Sequence, residues 1–209
     1  DRENKNALLK SMLEDATIER ALIFARTKHG ANKIVKNLSK SKIKADAIHG
    51  NKSQSARIDA LNKFKTGKVR VLVATDIASR GIDVDGITHV INYELPNEPE
   101  SYVHRIGRTA RAGATGMALS LCDLGELGYL KRIEQATNKT VAVEADHIYH
   151  SESIASKRGR SFGSKPKSPQ RKRNFGYRPA SGKNSRPAAR NGRPQRGNAQ
   201  RGRRTAGNS

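Results

Sequence analysis

The 209-residue chain carries 41 Lys and Arg against 19 Asp and Glu, a formal net charge of +22. Its single cysteine, Cys122, excludes an intrachain disulfide or a CxxC metal site and favours a reducing, cytoplasmic setting. Its longest purely apolar run, Ala21 to Ala25, falls far short of the ~20 residues that span a bilayer, so no membrane partner is expected. All 19 acidic residues lie between Asp1 and Glu152, whereas the 53 residues from Lys157 to Ser209 hold 17 cations and no acid. The expected organisation is therefore one domain over residues 1–150 and a basic tail over 151–209. No signal peptide is visible, and the opening at Asp1 reads as a piece of something longer.

In chain order, Ala7, Leu8, Leu9, Met12 and Leu13 recur at helical spacing before Arg20. Ala21 to Ala25 then reads as a short buried strand, followed by a helix carrying Ala31, Ile34, Val35 and Leu38. A second strand is expected near Ala45 to His49, ending at Gly50, with Ser53 capping a helix that contains Ile58, Leu61 and Phe64 and stops at Gly67. Val69 to Ala74 is apolar apart from Arg70, as in a strand buried on both faces. Further strands fit Ile87 to Asn92 and Met117 to Leu121, and a last helix runs from about Leu124 to Ala136. Whether Val141 to His150 continues the sheet or begins the tail is left open. Strands alternating with helices imply an α/β fold with a parallel sheet. In such sheets ligands bind beyond the carboxyl ends of the strands.

Those ends hold the candidate chemistry. Thr75 and Asp76 end the buried strand in the string ATDIASRGID, which closes on Arg80, Gly81 and Asp83. Hydroxyl and carboxylate groups there suit phosphate and ribose hydroxyls, although Asp76 could simply cap a short helix. Gln54 and Arg57 lie one helical step apart at a helix start, a plausible phosphate site and equally a plausible solvated face. Between Tyr102 and Gly113, arginines recur at 105, 108 and 111. On a helix this spacing makes a cationic ridge suited to phosphate, because a guanidinium offers a fixed fork of donors.

The strings LIFARTK (22–28), HGNKSQSAR (49–57), VLVATDIASRGID (71–83) and YVHRIGRTARAG (102–113) occur in this order and spacing. Together they resemble the carboxyl-terminal RecA-like domain of DEAD-box RNA helicases, in helicase superfamily 2, over roughly Lys5 to Val143. The tail is similar to that of the bacterial RhlE group. The resemblance implies that Arg108 and Arg111 reach the γ-phosphate of ATP as catalytic fingers, and that Asp83 meets the nucleotide ribose. It places RNA phosphates at Thr27, Gly50, Arg57 and Thr75. It gives Asp76, Arg80, His104 and Arg105 linking roles at the interface between two domains. Ala110 departs from the pattern, since the family usually has glycine there. A phosphate loop GxxxxGK[ST] and a DEAD sequence are both absent from the chain. The resemblance assigns these, with the magnesium ion and most of the hold on ATP, to an amino-terminal RecA-like domain of the same parent protein.

From Lys157 onward there are three aromatics, Phe162, Phe175 and Tyr177, and no Val, Leu, Ile or Met. Such a segment cannot bury a core and reads as disordered, suited to sequence-tolerant binding of single strands. The rival to a helicase half is a non-catalytic RNA-binding or annealing module that acts through this tail. The presence of Arg108, Arg111 and Asp83, which a passive binder does not need, separates the two.

Overall fold

The computed structural model describes residues 1–79, 82–110 and 115–158. The expected basic tail from residue 159 onward, together with Arg80 and Arg111, lies outside these residues. Five strands, β1 (Ala21–Phe24), β2 (Ala45–Ile48), β3 (Val71–Ala74), β4 (His89–Asn92) and β5 (Met117–Ser120), form one sheet in the order β2-β3-β1-β4-β5. Every pairing is parallel, with Ala21 in register with both Val71 and His89, and His89 with Met117. This is the α/β parallel sheet the sequence predicts.

Strand periodicity of two divides the core. Ala21, Ile23, Val71, Val73 and Ile91 turn to one face, where Leu9 and Leu13 of α1 (Lys5–Glu14) and Ala31, Ile34 and Leu38 of α2 (Lys28–Lys40) cover them. Leu22, Phe24, Leu72, Ala74 and Val90 turn to the other, beneath Ala60 and Phe64 of α3 (Gln54–Lys65) and the returning segment Ile82, Val84 and Ile87. Because the sheet is covered on both sides, β1, β3 and β4 are buried at every position.

Local signals set the helix limits. Ser53 accepts the Ala56 N–H at 3.2 Å as the cap of α3, and Gly67 stops the chain from continuing at φ +73°. β3 begins later than its apolar run suggests, since Arg70 is drawn away to the Leu13 and Ile18 carbonyls. The four-residue α4 (Asp76–Ser79) follows β3, and α5 (Pro99–Ile106) follows β4. A 3-10 turn (Leu124–Glu126) leads into α6 (Leu127–Thr137). Residues 141–150 form no strand; Val141 packs beside Leu95, Tyr102, Leu130 and Ile133, and α7 (Glu152–Arg158) comes after.

Candidate functional site

Gly50, Thr75 and Thr27 follow β2, β3 and β1, which are neighbours in the sheet, so three of the four residues expected at RNA phosphates stand side by side at its carboxyl edge. Gly50 and Thr27 are exposed, and Thr75 is at the limit of burial. Thr27 caps α2, its hydroxyl oxygen accepting the Gly30 N–H at 3.0 Å. Arg57 lies one turn into α3, where its Nη1 donates to Gln54 Oε1 at 3.2 Å while its buried Nε has no partner among the described residues. His49, which precedes Gly50, is buried; its Nε2 meets Asn32 Oδ1 at 3.0 Å, and Nδ1 lacks a partner among the described residues. Burial first, then the nearby Lys52, Lys28 and His29, holds its pKa below the usual histidine value. The imidazole is therefore kept neutral in a basic neighbourhood.

Asp76 opens α4 directly beyond β3, and its carboxylate takes two bonds from Arg105: Nε at 2.6 Å and Nη2 at 2.8 Å. Arg105 Nη1 also donates to Asn92 Oδ1 at 3.0 Å and to the Glu94 carbonyl at 2.7 Å, and its guanidinium lies 4.9 Å from the centre of the Phe24 ring. Only 1% of Arg105 is exposed. These contacts tie the ends of β3 and β4 to α5 within this one fold. A bidentate fork over an aromatic face is a task for arginine and not for lysine. His104, by contrast, is exposed on α5.

The expected helical ridge is not formed. α5 ends at Ile106, where Gly107 takes over as the C-cap, and the next N–H groups bond three residues back, Arg108 to Arg105 and Thr109 to Ile106. Thr109 then turns inward, donating from its hydroxyl to the Ile87 carbonyl at 2.5 Å. The result is divergence: Arg105 is taken into the fold, whereas Arg108 reaches out, with Nη1 donating to the Ile82 carbonyl at 3.1 Å. Ile82 adjoins the exposed Asp83, so two of the residues expected at a nucleotide come together. Their third, Arg111, and the linking residue Arg80 lie outside the described residues. Ala110 sits at φ +55°, which gives a physical reason for glycine at this position in the family. Gly116 supports the same turn, since a Cβ there would stand 2.6 Å from the Ala110 nitrogen.

Sequence reasoning missed the buried hub at Glu126. Its carboxylate accepts from Lys5 Nζ, from Arg26 Nη2 at 2.8 Å and from the Leu95 N–H at 3.1 Å. The loops after β1 and β4 are thereby joined to α1. The only visible signal was the spacing Asp123-x-x-Glu126, which forms a capping box at the 3-10 turn. Cys122 carries no reactive character, because burial pushes its thiol up to about 12.

A model of the helicase conserved C-terminal domain matches residues 4–113. ATP-dependent RNA helicase CshA of Listeria monocytogenes is 46% identical over 137 residues, 66% of this chain and 26% of that protein. The DEAD-box ATP-dependent RNA helicase CshA of Bacillus subtilis is 47% identical over 131 residues, 63% of this chain and 26% of that protein. The chain thus spans about a quarter of the length of these relatives. Among solved structures, the E. coli DEAD-box protein SrmB bound to regulator of ribonuclease activity A superposes with a TM-score of 0.66 at 34% identity, over 69% of this chain and 86% of that one. S. cerevisiae Dbp5 bound to RNA and ADP BeF3 gives 0.61 at 31% identity, over 65% of this chain and 36% of that one. With the motifs, the sheet and these likenesses in agreement, the chain belongs to the helicase conserved C-terminal domain family, as the carboxyl-terminal RecA-like domain of a DEAD-box RNA helicase.

Proposed function

We propose that this chain is the second motor half of an enzyme that couples ATP hydrolysis to RNA binding and local duplex unwinding. An amino-terminal RecA-like domain of the same protein would close with it over both ligands, in the cytoplasm. The observation that carries the reading is the convergence of Arg108 on the Ile82 carbonyl, beside Asp83. A guanidinium and a carboxylate so placed suit phosphate oxygens and ribose hydroxyls, the chemistry of a nucleotide. Guanidinium groups do not ligate cations, and magnesium, which bridges phosphate oxygens in such reactions, is assigned to the other domain.

In this reading Arg108 and Arg111 neutralise charge that develops on the transferring phosphoryl group. Thr27, Gly50, Arg57 and Thr75 hold RNA through its phosphates, which positions a strand without reading its bases. Asp76 and Arg105 act from within, fixing α4 and α5, while His104 and Arg80 serve at the domain interface. The tail resembles that of the RhlE group, whereas the relatives above carry the name CshA, so the reading is held at the DEAD-box level.

In the complete two-domain protein, Arg108→Ala should lower turnover at saturating ATP and RNA by about 10³-fold, the scale of an arginine finger, with RNA affinity nearly unchanged. Unchanged turnover would remove Arg108 from catalysis. The tail, in turn, is proposed to catch single strands by charge and stacking. If six of its cations meet phosphates, its deletion from Lys157 onward should flatten the dependence of log affinity on log salt by about 4. An equal slope with and without the tail would refute that role.

A further inference from the structure

Eight of the 24 Lys and Arg that precede residue 157 lie between Arg20 and Ala45, a stretch with no Asp or Glu. The other 16 are spread among all 19 carboxylates, so outside this stretch the folded part is slightly acidic. A merely solvated surface intersperses both signs, whereas segregated charge is the footprint of a polyanion partner. The structure shows where this charge goes.

Helix α2 turns Ala31, Ile34 and Leu38 to the sheet at 3% exposure or less. At about 100° per residue, His29, Lys33, Lys36 and Lys40 all fall within an arc of roughly 60° on the opposite side. All four are exposed, as are Lys42 and Lys44 just beyond the helix. Among the described residues Lys33, Lys36 and Lys40 join no ion pair, although Lys10, Lys52 and Lys63 elsewhere on the surface do. Glu94, whose carboxylate lies beside Gly30 at the start of α2, is already engaged by the Arg26 N–H at 2.8 Å.

The stripe starts where the proposed RNA groove ends. Its first residues follow Thr27, the cap of α2 at the carboxyl edge of the sheet, and from His29 to Lys40 it runs about 16 Å toward the opposite edge. We propose that Lys33, Lys36 and Lys40 form an RNA track outside the groove, which receives the backbone of a strand that leaves the core at Thr27. This rests on the RNA-binding reading of Thr27 and Arg57. Lysine suits the task, since a flexible point charge follows a backbone without demanding one geometry. The track would add affinity for strands long enough to overrun the groove, without sequence preference.

The test uses the whole chain and two oligouridines, one of about 8 nucleotides, within the span of a single site, and one of about 25. K33Q/K36Q/K40Q, whose positions are all exposed and outside the core, is compared with R57A by fluorescence anisotropy across a salt series. For the longer strand the triple variant should flatten the log–log salt slope by about 2, at roughly 0.7 per cation, and leave the short strand's slope unchanged. Bound long RNA should also shield the three amines of the parent chain from acylation, read by mass spectrometry. If R57A weakens both strands while the triple variant matches the parent, the stripe is ordinary surface and the track is overturned, with the groove reading intact. A triple variant that weakens both strands equally would also overturn it, as the lysines would then serve the field of the whole domain. If neither variant changes either strand, groove and track fall together.

Discussion

At the scale of single residues, the turn after α5 decides what each arginine does. Arg105 and Arg108 are three apart in sequence, yet one is sealed beneath the strand ends with Asp76 and Asn92 and the other extends to the Ile82 carbonyl. Ala110 follows them at φ +55°, a conformation costing a side chain roughly 1–2 kcal/mol that glycine avoids. Ala110→Gly should therefore stabilise the chain, by about 0.5–1 kcal/mol after glycine's greater freedom in the unfolded state is offset. A denaturant midpoint that moves down instead would show the turn to be unstrained. The ridge at 105, 108 and 111 could be read in the sequence only as a spacing. Its breakage was not legible, because Gly107 is tolerated inside helices and the Thr109 anchor on the segment before β4 is a tertiary contact.

Beyond the apolar faces, one buried carboxylate ties three elements together. Glu126 gathers Lys5 from α1, Arg26 from beyond β1 and the Leu95 backbone from beyond β4. Lys5 and Glu126 are each about 95% buried, so the loss of one leaves a charge with little water to replace its partner. We expect Glu126→Ala to cost about 3–5 kcal/mol, and Glu126→Gln, which keeps an acceptor for Arg26 and Leu95, distinctly less. Urea titrations of the two variants would check this; equal losses would mean that the charge itself contributes little. Helix and strand positions were legible from periodicity and caps, such as Ser53 and Gly67. The hub was not, since a pairing across 121 residues leaves no local trace.

For the molecule as a whole, two buried histidines make the fold sensitive to acid. Burial holds both His49 and His89 below the ordinary value of 6.5, joined at His49 by neighbouring cations and opposed at His89 by Asp15. With folded values below the unfolded one, the unfolded chain binds protons first as pH falls. Stability is then full above about pH 6.5 and declines as pH drops through the lowered values. Thermal melts should shift to lower temperature between pH 7 and 5, and the shift should shrink when both are changed to glutamine. An undiminished shift would assign the acid response to carboxylates.

The sequence by itself determined the alternation of strands and helices, hence the parallel sheet, and through four strings the family. Periodicity and motif spacing are local, and local order survives in a one-dimensional reading. It also placed Gly50, Thr75 and Thr27 at strand ends. That these ends are neighbours was decided only by the order β2-β3-β1, in which strands far apart in the chain are paired. Tertiary structure likewise decided that Arg105 is buried against Asp76 and Asn92 and that Arg108 meets the segment beside Asp83, because burial and reach depend on what the rest of the chain brings alongside.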